Sequence, residues 1–183
     1  AIEIALGTAY SDTAGGLIIF YTAAMLTIFQ SVCEHIYYVS YHDLLTGFSN
    51  RNAFLRHAPT FPLKYSVGLI LIDDYERLSK IFGRHGISAL IKMISLRLDE
   101  LENEAQIYRY NVDEFIILYR GQDKNEAYEK TEQIRRGIAG TEFCLRGYSK
   151  PIKLTVSGAV SEKKRSDADA VEVIYRANKA LQK

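Results

Sequence analysis

The 183-residue chain has no tryptophan, three prolines and two cysteines. Two cysteines, Cys33 and Cys144, cannot build a disulfide framework, so a reducing cytoplasm is the expected compartment. The four histidines (His35, His42, His57, His85) are scattered, and none forms zinc-ligand spacing with a cysteine. No proline-rich linker and no internal repeat is present. A global basic excess is also missing: 23 Lys+Arg face 22 Asp+Glu, for a net charge of +1. That balance argues against a DNA-coating protein, and nucleic acid is not an expected partner. With 48% hydrophobic and 25% charged residues the composition is globular, which excludes wholesale disorder. The sharpest absence is local. The first 50 residues hold no Lys or Arg and four acids (Glu3, Asp12, Glu34, Asp43), so they carry −4. The remaining 23 bases and 18 acids carry +5, and the structural role therefore changes near Arg51.

Thr13–Cys33 is a 21-residue stretch without formal charge, apolar almost all round between Leu17 and Phe29. About 20 such residues suffice to cross a bilayer. A buried or dimer-forming signalling helix has the same composition. A signal peptide does not fit the acidic start at Glu3 and Asp12. The first bases, Arg51 and Arg56, lie on the C-terminal side, which a span would place in the cytoplasm. Against a span, Thr22, Thr27 and Gln30 interrupt the run and no Lys, Arg or Trp anchors its ends. The pattern continues to Tyr41 and predicts one long helix over Leu17–Tyr41. Ala1–Gly7 reads as a strand. The soluble and membrane readings of residues 13–33 both stay open here.

Beyond Tyr41, strand and helix periods alternate. Asn50–His57 reads as a short helix. Ser66–Ile72 is a continuous apolar run, the mark of a central buried strand. Tyr75–Phe82 reads as a helix stopped by Gly83 and Gly86, and Ile87–Leu101 as a second, four-turn helix. Ile107–Tyr110 and Phe115–Tyr119 are strands joined by a turn at Asn111–Glu114. A helix follows from Ala127 to Ile138. Phe143–Arg146 and Ile152–Val156 read as short strands, and Val171–Leu181 as a final helix. This order predicts an α/β (α+β) fold: a mixed, palm-like sheet flanked by helices, preceded by a long N-terminal helix. The expected domains are 1–42 and 43–183.

Carboxylates fall at two strand ends. Asp73 and Asp74 close the first strand, and Asp113 and Glu114 sit at the hairpin tip. Two carboxylates holding Mg²⁺ against a nucleotide triphosphate is one reading. The plainer one makes Asp73 a helix cap and Asp113 a turn residue.

Several ordered motifs resemble the GGDEF (diguanylate cyclase) family. They are His42-Asp43-Leu44-Leu45-Thr46-Gly47-Phe48-Ser49-Asn50-Arg51, Leu71-Ile72-Asp73-Asp74-Tyr75 with Phe82-Gly83-Arg84-His85, and Arg109-Tyr110-Asn111-Val112-Asp113-Glu114-Phe115. Thr155-Val156-Ser157-Gly158-Ala159 and Arg176-Ala177-Asn178-Lys179-Ala180-Leu181 complete the set, from about Tyr41 to Lys183. The resemblance implies condensation of two GTP into cyclic di-GMP by a homodimer, with Mg²⁺. Residue by residue, it implies loss. The family's metal ligands fall on Leu71, the Ile72 carbonyl and Asp113. Leu71 cannot ligate, and Asp73 substitutes only if the strand slips by two residues. The guanine readers fall on Ser79 and Ser88, too short for a bidentate contact, at a cost of roughly 1–3 kcal/mol each. The signature glycines are Asn111 and Val112, and Val112 puts a β-branched side chain where none is expected. Glu114 survives as a candidate for the 3′-hydroxyl proton transfer. The family's R-x-x-D inhibition site falls on Glu102-Asn103-Glu104-Ala105, which has the wrong charge sign. Asp43, Asn50 and Arg51 are read as structural.

The resulting expectation is a silent regulatory domain that relays a signal through its N-terminal helix to an attached or partner cyclic di-GMP phosphodiesterase, with an upstream sensor as a further partner. It would lie in the cytoplasm or on the cytoplasmic face of the inner membrane. A GTP-binding allosteric domain (Asp113, Ser79 and Ser88 as vestigial contacts) and a divergent active cyclase using Asp73 and Asp113 are the alternatives.

Overall fold

The computed structural model describes the backbone of residues 2–181 and the side chains of residues 15–181. Two units divide the chain, Ala1–Ser40 and Tyr41–Lys183. The first belongs to helix α1 (Ile2–Tyr41). The strand expected over Ala1–Gly7 does not form, since α1 already begins at Ile2. A lone extended segment has no ladder partner for its N–H and C=O groups, whereas a helix pairs them internally. Residues 15–41 are long and apolar enough to cross a bilayer by length and composition. The polar side chains within them are satisfied locally. Thr22 and Thr27 donate to carbonyls one turn back, and Gln30 Nε2 donates to Glu34 Oε1 at 3.0 Å.

The second unit is built on a five-stranded sheet. Its strands are β1 (Ser49–Asn50), β2 (Tyr65–Ile72), β3 (Gln106–Arg109), β4 (Glu114–Arg120) and β5 (Val156–Glu162), in the order β1-β3-β4-β2-β5. The β1–β3 pair is parallel and the others are antiparallel. Helices α2 (Arg51–His57), α3 (Tyr75–Leu101), α4 (Lys124–Ala139) and α5 (Ala170–Leu181) complete the unit. Successive side chains of β2 point to opposite faces. Val67 and Leu69 join the core with Phe54, Tyr108, Val173 and Ala177. Ile70 and Ile72 join the other core with Leu90, Ile94, Phe115 and Ile134. Burial on both faces explains the unbroken apolar run of this central strand.

Three local expectations change. Gly83 takes φ 63°, ψ −177°, which breaks α3 as expected, but the helix resumes at once and Gly86 lies inside it. Only glycine enters that region without strain. Phe143–Arg146 is not a strand: it makes one bridge, Phe143 to Ile152, before a turn in which Tyr148 N–H donates to the Leu145 carbonyl. The final strand starts at Val156, not Ile152. The alternation of Ile152, Leu154 and Val156 serves packing along the segment that leads into β5, with Ile152 against the α3 side of the core.

Candidate functional site

The two carboxylate loci meet. The Ile72 N–H donates to the Asp113 carbonyl at 2.9 Å, tying the end of β2 to the β3–β4 turn. Leu71 lies opposite Glu114 in the ladder. A cleft of about 980 Å³ opens at this junction, and its walls include Leu71, Ile72, Asp73, Asp74, Glu76 and Asp113. Ser79, Ser88, Asn111, Val112 and Glu114 do not line it.

Asp73 is already engaged. Thr155 Oγ1 donates to its Oδ2 at 2.5 Å, and Ser157 Oγ to its Oδ1 at 2.7 Å. Its own N–H donates to the Thr155 carbonyl. Asp73 therefore fastens β2 to the start of β5 instead of capping α3. The N-cap position falls to Asp74, which sits at φ 54° without a side-chain cap. Asp113 is half-buried, and among the described residues its carboxylate has no hydrogen-bond or ion-pair partner. Leu71 offers no donor atom. Magnesium prefers about six oxygens in strict octahedral geometry. Among the described residues no three His, Cys, Asp or Glu side chains converge on one point. A leucine where a side-chain oxygen is needed, beside an Asp73 whose two oxygens are held by hydroxyls, does not fit a magnesium site. The cleft walls also set four carboxylates (Asp73, Asp74, Glu76, Asp113) against two cations (Arg77, Lys80), a field that repels polyphosphate.

The turn before Glu114 is closed by the backbone. Tyr110 and Asn111 N–H both donate to the Glu114 carbonyl, at 2.9 and 3.2 Å. Neither Asn111 nor Val112 takes a positive φ; among the described residues Asp74 is the one non-glycine that does. Val112 points to solvent, so its β-branch strains nothing here. Glu114 itself is buried. Its Oε2 accepts from Asn111 Nδ2, and its Oε1 has no partner. Burial raises the Glu114 pKa above the usual range, and Asp113 adds to the rise, against the Asn111 hydrogen bond and the Arg51 charge.

Arg109 braces the turn from the other side. Its Nη1 donates to Asp43 Oδ1 at 2.8 Å and its Nη2 to the Val112 carbonyl at 3.1 Å. Asp43 also accepts from the Thr46 N–H and hydroxyl, both at 2.9 Å. Burial pushes the Asp43 pKa up, but the Arg109 and Thr46 hydrogen bonds outweigh it and the carboxyl lies below its usual value. The two carboxyls thus carry opposite pH dependence. Glu114 binds its proton more tightly when folded, so its destabilising effect sets in as pH rises from the ordinary glutamate range through its raised pKa. Asp43 contributes stability above the ordinary aspartate range, which is lost as pH falls through its lowered pKa. Melting temperatures between pH 3 and 8 should show this. Glu114→Gln removes the decline on the neutral side, and Asp43→Asn removes part of the decline on the acid side.

The bracing role of Arg109 and the Thr155–Ser157 clamp were not read from the sequence. The signals were there: an arginine two residues before Asn111, and hydroxyls at alternate positions facing one carboxylate. At Glu102–Ala105, Glu102 is buried, accepts from the Ala105 N–H at 3.1 Å and pairs with Lys130 at 3.7 Å, so this acid serves the local turn.

Comparison with known proteins agrees on the fold. The family model described as "Diguanylate cyclase, GGDEF domain" matches residues 40–183. The coiled coil and GGDEF domain of DgcB from Caulobacter crescentus, solved with c-di-GMP, superposes with a TM-score of 0.77 at 18% identity, covering 88% of each chain. The FimX GGDEF domain from Pseudomonas aeruginosa gives 0.70 at 23% identity, covering 78% of this chain and 92% of that one. A membrane protein of Staphylococcus epidermidis is 26% identical over 143 residues, 74% of this chain. The chain spans about 40% of the length of such curated relatives.

Proposed function

The chain belongs to the diguanylate cyclase GGDEF domain family, and we propose that it is a catalytically silent, regulatory member acting in cyclic di-GMP signalling. Members of the family use GTP with Mg²⁺. The observation that carries the silent reading is the donor set of the cleft: Leu71 beside Asp113, with both Asp73 oxygens held by hydroxyls. In this reading NVDEF (Asn111–Phe115) replaces the family signature, Ser79 and Ser88 stand away from the cleft, and Glu114 serves the fold. The acidic walls add a Coulombic penalty against triphosphate.

The N-terminal region, residues 1–42, is proposed as the input element and residues 43–183 as the signalling domain. α1 is proposed as a membrane anchor. Its support is the apolar 15–41 segment, tyrosines 37, 38 and 41 at its C-terminal end, the first bases at Arg51 and Arg56, and relatives named as membrane proteins. The domain then lies on the cytoplasmic face, and its partners are a second copy, an upstream sensor or a phosphodiesterase.

A melting experiment with the full-length protein tests the nucleotide half of this proposal. A ligand at 100 times its Kd stabilises by about 2.7 kcal/mol. Millimolar GTP with Mg²⁺ is expected to leave the melting temperature unchanged. A saturable rise, abolished in Asp113→Ala, would replace the silent reading with a GTP-binding allosteric one.

A further inference from the structure

A second cavity, of about 540 Å³, lies on the segment leading into β5, between the first run of α3 and residues 148–155. It exists because β5 starts late. The regular ladder begins at Val156, and before it residues 150–155 make only an isolated bridge at Ile152 and one backbone bond at Thr155, leaving space between this segment and the first run of α3. Its apolar walls are Leu78 and Phe82 on α3 and Leu154 opposite. Tyr148 closes one end, its ring edge-on to Phe82 at 5.1 Å. Ile81, on the same helical run, leaves 55% of its surface exposed at the mouth. The rim is cationic on the loop side. Lys153 is held by Glu142 at 3.0 Å, whereas Lys150 has no ion-pair partner among the described residues. The cavity volume falls in the range of about 300–1,000 Å³ of small-molecule sites, which pair mostly apolar walls with a few polar groups that fix orientation.

We infer that this cavity is a receptor site for a small organic anion with an aromatic or aliphatic body. The body packs between Leu78, Phe82 and Leu154, and the anionic group meets the Lys150 ammonium. Asp73 and Asp74, which also line the cavity, disfavour a second anionic group near them, so the preferred ligand carries its charge at one end. The cavity shares Asp73, Asp74 and Arg77 with the neighbouring cleft, so an occupant would bear directly on the N-terminal turn of α3. This inference is independent of the silent reading, because GTP turnover or its absence does not bear on it.

The lack of tryptophan gives the test a clean reporter. In the 183-residue chain carrying Tyr148→Trp, titration with the aromatic sulfonate 8-anilinonaphthalene-1-sulfonate is followed by quenching of its one tryptophan, and second substitutions in the cavity separate probe bound there from probe bound elsewhere. Saturable quenching is expected, with Kd raised at least tenfold when Lys150→Glu is added and when Ile81→Glu is added. Circular dichroism confirms that each variant is folded. No saturable quenching up to 1 mM probe, or an unchanged Kd in both folded double variants, would overturn the inference.

Discussion

Phe54→Ala is expected to destabilise the domain by about 4 kcal/mol, the cost of removing a fully enclosed aromatic side chain. Phe54 has no solvent exposure and lies edge-on to three rings: Phe61, Tyr108 and Tyr110, at 5.3, 5.1 and 6.0 Å. Edge-to-face pairs contribute beyond the area they bury. The cavity left behind would be walled by three aromatic rings, from the loop after α2, from β3 and from the turn that follows β3, which do not collapse together. Tyr110 also carries the Arg51 guanidinium at 4.8 Å from its ring centre. The loss therefore propagates to the turn at Asn111–Asp113. Urea unfolding should show a lower midpoint with an unchanged slope. A loss under 1 kcal/mol would mean that Phe54 on α2 does not support β3 through Tyr108.

Asp167→Ala comes second, at about 3 kcal/mol. Asp167 is buried and receives two nitrogens of Arg176, the Lys164 N–H at 2.7 Å and, on its backbone carbonyl, Lys163 Nζ. The Arg176 hydrogen bonds hold its carboxyl below the usual aspartate range. Arg176 meanwhile donates to the Glu162 carbonyl and Ser161, so it locks α5 to the end of β5. Removing the acid strands a guanidinium in a partly buried site. Because 29% of the Arg176 side chain still meets water, the effect falls at the low end of the range for broken buried pairs. Arg176→Met should cost less than Asp167→Ala only if the apolar stem keeps its packing. Melting temperatures of the two variants decide it.

Much of this architecture was legible because burial dictates pattern. β2 is covered on both faces, so it reads as an unbroken apolar run. The second part of α3 is covered on one, so Ile87, Leu90, Ile91, Ile94 and Leu98 repeat at helical spacing. What was not legible depends on distant partners. Ile152 and Leu154 alternate like a strand, yet the neighbour they pack on is a helix. Ala1–Gly7 reads as a strand from its side chains alone, whereas the backbone there continues as α1. Site residues divide the same way. The meeting of Asp73 and Asp113 follows from topology, while the hydroxyl clamp on Asp73 needs residues 82 and 84 positions away in sequence. The same limit hid the role of Arg109, whose partner Asp43 lies 66 positions earlier.

The most direct test of the silent reading is turnover. Full-length protein is incubated with GTP and Mg²⁺ or Mn²⁺, and products are separated by liquid chromatography with mass detection, beside a family member with an intact signature. The expected result is no cyclic di-GMP and no linear dinucleotide from this protein while the control turns over. Accumulation of either product, lost in Asp113→Ala, would contradict the account and show that Leu71 does not disable the site.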